Sequence, residues 1–261
     1  MKKEMQEFEE RFAETLSGAA LPMDTVLHHV GAVTGKRLRP RLVFLSARLF
    51  GEVNESTWRT ALFVELLHTA TLIHDDVVDD SDTRRGQPSV NAKWDNRTAV
   101  LVGDYLLSKA IQQLSEPLDN LILKEMLSTT LVMSEGEMIQ NMASGNGLGE
   151  FSETTYLEII TRKTASLLRS CCVSGALSVG VSEVLIKEVG EFGLNLGLVF
   201  QMRDDILDHD DPMIAAFAER LIPEYLDKTM KTLDALAPFV KNAEALEELR
   251  TLSLFCSERG Y

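Results

Sequence analysis

The chain has 261 residues, 45% of them hydrophobic, enough for one large domain or two small ones with a sizeable core. Its net charge is −14 and its pI about 4.8, which excludes the basic surface that a nucleic-acid groove needs. Only 16 Gly and 7 Pro are present, which disfavours turn-rich sheet architectures and favours long helices.

The opening stretch, MKKEMQEFEERF, has no apolar core of signal-peptide length. No run approaches the ~18 apolar residues of a membrane span. Cys171, Cys172 and Cys256 lack any Cys-x-x-Cys spacing and read as small core residues in a reducing compartment. The expected location is cytoplasmic.

Phe8, Phe12 and Leu16 recur at four-residue spacing and predict a helix over 4–17. His28-His29 lies in a second short segment. Tandem histidines on a helix point in different directions, so a surface or packing role is expected. In Gly35-Lys36-Arg37-Leu38-Arg39-Pro40, Pro40 suits the first position of a helix and Gly51 its end. Lys36, Arg37 and Arg39 then stand at a helix N-terminus, where the dipole and free N–H groups favour anions.

Ser56 is the expected N-cap of a helix over 57–80, apolar on most sides and therefore central. His68 lies two turns before Asp75 on the same stripe. Helices are expected over 98–114 and 119–143, then a turn in SGNGLGE (144–150). Further helices follow over 153–180, carrying Lys163 and Thr164, and over 183–209, where Gly193 and Gly197 allow close helix contact or room for a ligand. Amphipathic segments at 213–236 and 242–258 read as peripheral. No strand alternation survives over a useful length. The fold class is all-α, a single-domain bundle over 1–261 of about ten or more helices.

Two stretches share one pattern: Asp75-Asp76-Val77-Val78-Asp79 and Asp204-Asp205-Ile206-Leu207-Asp208. Each ends a strongly apolar helix. Residues four apart lie on one face, so Asp75 pairs with Asp79 and Asp204 with Asp208. Asp76 and Asp205, about 100° around, are better placed to support the outer pairs. Asp75, Asp76, Asp79, Asp80 and Asp82 crowd one short segment, and their repulsion should push some toward the protonated form unless cations are near. A single such pentad among 40 Asp and Glu is weak evidence. Two of them at the rim of the core, with Lys36, Arg39, Arg84, Arg85 and Lys163 elsewhere, describe a site for divalent metal and diphosphate. Carboxylate and phosphate oxygens are the ligands Mg²⁺ prefers, and the apolar helices beneath would hold a hydrocarbon tail.

Six stretches, GKRLRP (35–40), HTATLIHDDVVDDSDTRRG (68–86), GDYLLSKA (103–110), EGEMIQ (135–140), EIITRKTASL (158–167) and GLVFQMRDDILD (197–208), resemble the trans-isoprenyl diphosphate synthases of the polyprenyl synthetase family, in the family's order. The resemblance implies an all-α fold around a central apolar tunnel and, usually, a homodimer. It implies that Asp75 and Asp79, with Asp204 and Asp208, hold Mg²⁺, up to three ions, bridged to an allylic diphosphate. Arg84, Lys163, Thr164 and Gln201 would contact that diphosphate; Lys36, Arg39, His68 and Arg85 would bind isopentenyl diphosphate. Asp75, Asp79, Lys163 and Asp204 would carry the catalysis. Metal and Lys/Arg would stabilise the departing diphosphate. The allylic cation would be attacked by the double bond of isopentenyl diphosphate. No Glu or His stands out as the base, and the released diphosphate is the family's expected proton acceptor.

Ala70 and Thr71, just before the first pentad, are small, where short-chain relatives carry a bulky aromatic. A tunnel could then continue past Leu67 and Leu66 to Phe63, about 18 Å below Asp75 along a helix axis. The expected product is long-chain, hexaprenyl to decaprenyl, of a kind handed to membrane enzymes. The alternatives are a farnesyl or geranylgeranyl diphosphate synthase, a cyclase that ionises allylic diphosphates, and a non-catalytic partner subunit. After Asp208 the family continues with a loop carrying Gly-Lys pairs and a long helix. Here Asp208 runs through His209-Asp210-Asp211-Pro212 into MIAAFAERL. Either a segment is missing from the sequence at about His209–Asp210 or it is truly deleted. Omission is favoured, because deletion would remove an active-site lid and a core helix together.

Overall fold

A computed structural model describes residues 1–32, 35–116, 119–144, 151–208 and 211–259. The turn expected over 144–150 lies almost wholly outside these residues, as does the His209–Asp210 junction. The described part is helical apart from one tight hairpin, as the all-α expectation requires. Among the described residues no helix is long and apolar enough to cross a membrane.

The N-terminal helices are α1 (Lys2–Thr15), α2 (Met23–Gly31) and α3 (Leu38–Phe50). α3 starts two residues before the expected Pro40. The cost is small, because the first four N–H groups of a helix have no intrahelical acceptor and Pro40 lies among them. Its preceding residue, Arg37, takes a left-handed conformation (φ 54°).

The central helix α4 (Glu55–Val78) is capped by Asn54, not by Ser56 as the sequence suggests. The Asn54 side chain accepts the Thr57 N–H at 3.1 Å, and Thr57 Oγ1 accepts the Asn54 N–H at 3.3 Å. This reciprocal box satisfies two end groups at once. Ser56 spends its hydroxyl on Asp119 instead. Phe63, Val64 and Leu66 of α4 are fully buried. Truncating Phe63 to Ala there would cost about 3–5 kcal/mol.

After α4 come a two-residue hairpin, β1 (Thr83–Arg84) with β2 (Gln87–Pro88), the short α5 (Val90–Lys93) and α6 (Asn96–Gln113). Arg84 pairs with Gln87 across the hairpin, and Arg85 and Gly86 turn it at positive φ. α7 (Asn120–Ser144) follows.

The expected single helix over 153–180 is three pieces: α8 (Glu153–Ile160), a π-helical turn (Thr161–Ala165) and α9 (Ser166–Leu177). Four polar residues separate the buried Ile160 from the buried Ala165, and the helical pattern resumes at once on either side, so the sequence reads as one helix. The turn lies against α7 where Gly136 leaves room: a Cβ there would lie 2.7 Å from the Lys163 backbone N. α10 (Glu183–Asp208), α11 (Pro212–Leu236) and α12 (Ala243–Arg259) complete the chain.

The main core joins α4 to α3, α6 and α9. A smaller core joins α8 and the π-turn to α10 and α11. Gly193 and Gly197 serve close helix contact rather than a ligand. A Cβ at Gly193 would lie 2.8 Å from the Arg169 Cα, and one at Gly197 would lie 2.6 Å from the Ala165 Cα. α10 is thereby set directly on the π-turn and α9.

Candidate active site

The last turns of α4 and α10 carry the two pentads, and both reach one cavity of about 650 Å³. Asp75 lines it from α4 and Asp204 from α10. Arg39, His68, Arg84, Arg85 and Lys163 supply its basic wall. Leu72, Val78, Met133, Met138 and Phe200 supply apolar surface. Thr164 and Gln201 line it too, so ten of the expected site residues are gathered here or in the adjoining pocket that holds Lys36.

Asp79 and Asp208 are placed differently. α4 ends at Val78, and Asp79 is its exposed C-cap, donating its N–H to the Asp75 carbonyl at 2.8 Å. Asp80 then turns the chain away at φ 50°. Asp208 lines a neighbouring cavity of about 350 Å³ with Tyr156, Asp205 and Asp211.

The middle aspartates are taken up by protein donors. Asp76, 3% exposed, accepts from Arg84 Nε at 2.9 Å and also pairs with Arg84 Nη2. Asp205 accepts from Tyr156 Oη at 2.6 Å and from Gln201 Nε2 at 2.8 Å. Gln201 Oε1 in turn accepts from Thr164 Oγ1 at 2.7 Å. Lys163 is paired with Glu137 of α7 at 2.5 Å. Glu137, Tyr156 and Asp205 carry this arrangement, yet neither charge spacing nor periodicity singles out Glu137 or Tyr156. The stretch EGEMIQ holds Glu137 without indicating its partner.

Burial is the largest cause that pushes the Asp75 carboxyl up to about 6; Glu137 and Asp79 push the same way, against the Lys163 charge. Asp204 is also pushed up to about 6, first by burial and then by Asp208 and Asp205. Desolvation therefore outweighs the repulsion that the crowded aspartates suggest.

The basic side shows the opposite strain. Burial lowers Arg39, and burial followed by the Arg37 and Arg84 charges lowers Arg85. His68 is held well below its usual value, mostly by burial and then by Arg39 and Arg85, so it is neutral at pH 7. Arg39 Nε is buried without a hydrogen-bond partner. These groups, with Lys36, line a pocket of about 320 Å³ whose chemistry calls for an anion.

Arg37 is excluded from that role. It donates to Glu9 at 2.8 and 3.0 Å and to Glu65 at 2.5 Å, and lies over the Phe12 ring at 4.5 Å. It locks α1 to α4. On the outer side, the His29 ring Nε2 lies 2.9 Å from the Pro88 carbonyl and bears on the hairpin that carries Arg84 and Arg85.

A divalent cation fits the donor set. Asp75 and Asp204 offer hard oxygen ligands, and burial disfavours the charged form of each, which a bound cation would stabilise. Among the described residues no three metal-ligating side chains converge on one point. Phosphate oxygens of a bound ligand would have to complete such a shell.

The sequence profile of the polyprenyl synthetase family matches residues 22–212. The chain is 39% identical over 202 residues to heptaprenyl diphosphate synthase component 2 of Geobacillus stearothermophilus, covering 77% of this chain and 62% of that protein. It is 35% identical over 199 residues to geranylgeranyl diphosphate synthase of Sulfolobus acidocaldarius, covering 74% and 60%. The chain thus spans about three fifths of the length of these curated relatives. The crystal structure of a polyprenyl synthase from Caulobacter crescentus CB15, complexed with calcium and isoprenyl diphosphate, superposes with a TM-score of 0.84 at 30% identity, covering 100% of this chain and 96% of that one.

Proposed function

The chain belongs to the polyprenyl synthetase family, and on that premise we propose that it condenses isopentenyl diphosphate onto an allylic diphosphate to give an all-trans polyprenyl diphosphate. The observation that carries the reading is that Asp75 and Asp204, from separate helices, line one cavity together with basic groups and apolar side chains.

Asp75 and Asp204, with Asp79 and Asp208 of the same pentads, are the residues that would hold Mg²⁺. The ion would supply charge stabilisation to the departing diphosphate. Lys163 and Arg84 would bind that same diphosphate and share its growing negative charge as the allylic C–O bond breaks. Arg39, Arg85, Lys36 and neutral His68 would hold isopentenyl diphosphate in the adjoining pocket. Its double bond attacks the allylic carbon, a new C–C bond forms, and a proton leaves the adjacent carbon to the released diphosphate. Leu72, Met133 and Phe200 exclude the water that would quench the cation.

The proposed product is long-chain, hexaprenyl to decaprenyl. Thr71, Thr130 and Ser134 on the α4 and α7 walls are all small, and no Phe, Tyr or Trp of those two helices lines the cavity, its only rings from them being the imidazoles of His68 and His74. The route differs from the one expected down α4. Ala70 is buried in the core, and neither it nor Leu67, Leu66 or Phe63 lines this cavity. The chain would extend between α4 and α7 instead. The shorter geranylgeranyl product is the competing outcome, since the Sulfolobus relative carries that name.

Val100, Leu101 and Ile111 of α6 and Leu121, Leu127 and Leu131 of α7 are exposed. Exposed apolar side chains of that kind suit a homodimer contact. The proposed setting is the cytoplasm, with an apolar product passed to membrane enzymes.

The test is incubation of the purified protein alone with labelled isopentenyl diphosphate, farnesyl diphosphate and Mg²⁺, with the products separated by chain length. Incorporation into chains beyond farnesyl supports the proposal. Diphosphate release without incorporation points to a cyclase. A protein inert alone points to a partner subunit, a reading favoured by the Geobacillus relative being named as a component.

A further inference from the structure

Tyr156 is 2% exposed on α8, and its ring packs beside Phe217 of α11 with centroids 6.1 Å apart. It lines the smaller cavity, not the main one. Asp205 likewise lines only the smaller cavity, whereas Gln201 and Thr164 line both. The hydrogen-bond chain from Tyr156 through Asp205 and Gln201 to Thr164 therefore runs from behind the main cavity to its wall.

The chemistry of the chain fixes its direction. Both Asp205 oxygens accept hydrogen bonds, one from the amide nitrogen of Gln201 and the other from the Tyr156 hydroxyl. Burial and the Asp205 charge raise Tyr156 far above the range in which it could lose that proton, so it remains a donor. With its nitrogen held, Gln201 turns its carbonyl to Thr164, whose hydroxyl proton is spent there. The second N–H of Gln201 is not used in this chain. Without Asp205 or Tyr156 the amide can turn over, and its carbonyl oxygen would then compete for the wall of an anion site.

We propose that Tyr156 and Asp205 are positioning residues for the allylic diphosphate: together they fix the Gln201 amide so that the main cavity meets a donor there rather than an acceptor. The inference rests on the diphosphate reading of that cavity.

The test is a double-mutant cycle on the full chain, read by calorimetric binding of inorganic diphosphate with Mg²⁺ and by KM for farnesyl diphosphate. Tyr156→Phe keeps ring and volume and loses only the hydroxyl. It should weaken diphosphate binding and raise the farnesyl diphosphate KM about tenfold, in line with one charge-assisted hydrogen bond. KM for isopentenyl diphosphate should stay within about twofold, a shift below ~0.5 kcal/mol. In a Gln201→Ala background the same substitution should have no further effect, which a merely structural role would not produce.

Unchanged diphosphate binding in Tyr156→Phe, or effects that multiply in the double variant, would overturn the inference while leaving the diphosphate site standing. A wild type that binds no diphosphate would overturn both. If Tyr156→Phe does not fold, Asp205→Asn enters the same cycle with the same expectations.

Discussion

Arg84 donates from Nε to Asp76 Oδ1 at 2.9 Å, so the middle aspartate of the first pentad is neutralised by the arginine eight residues after it. The pentad is thereby divided: Asp75 faces the cavity, and Asp76 anchors the hairpin that brings Arg84 and Arg85 to the same cavity. Asp76→Ala removes one partner of a pair that is buried on the Asp76 side and about 38% exposed on the Arg84 side. It should lower stability by about 1–3 kcal/mol, discounted from the fully buried case. KM for the allylic substrate should rise far more than kcat falls. Urea unfolding and steady-state kinetics check both.

Asp75 and Asp204, both pushed up to about 6, predict a specific pH response. Their folded values exceed the unfolded value of 3.8, so the metal-free fold holds more protons than the unfolded chain. Metal-free stability should be greatest below about pH 4 for these two groups and be lost as pH rises through about 6. Bound Mg²⁺ needs both carboxylates ionised, so its stabilisation should grow over that window. Thermal melts with and without Mg²⁺ should show a larger metal-induced shift in Tm at pH 7.5 than at pH 5. A shift independent of pH would show that these carboxylates do not bind the metal.

Thr71 lines the cavity and Ala70 does not. Thr71→Phe should therefore shorten the product toward farnesyl or geranylgeranyl length. Ala70→Tyr, placed in a packed core at 2% exposure, should instead overpack it at about 1–3 kcal/mol. Chain-length chromatography and urea unfolding of the two variants separate these outcomes. A shortened product from Ala70→Tyr at full stability would place the path along α4 after all.

A Cβ at position 197 would lie 2.6 Å from the Ala165 Cα, a backbone atom that cannot give way as a flexible side chain would. Gly197→Ala should cost about 1–3 kcal/mol and push the end of α10 from the π-turn, lowering turnover through Gln201 and Asp204. Wild-type turnover and melting temperature in this variant would mean that α10 tolerates the displacement.

The sequence makes the helices and both pentads legible because apolar periodicity and acidic spacing are local signals. Asp75, Asp204 and most of the basic groups arrive at the cavity as the motifs imply. What it hides is relational. At the π-turn the buried positions step by five, from Ile160 to Ala165 across four polar residues, an interval too short to stand out from the helical pattern on either side. Ser56 is engaged by Asp119, distant in the chain, while Asn54 caps the helix. Glu137 and Tyr156 matter through Lys163 and Asp205, on elements far from them in sequence. Arg37 looks like its neighbours Lys36 and Arg39 until the fold supplies Glu9 and Glu65.

The most direct test of the account is turnover of Asp75→Ala with saturating Mg²⁺, isopentenyl diphosphate and farnesyl diphosphate, alongside far-UV circular dichroism. The predicted result is a fall in turnover of several orders of magnitude with helicity unchanged. Near-normal turnover in that variant would contradict the assignment of the pentads as the metal and diphosphate site.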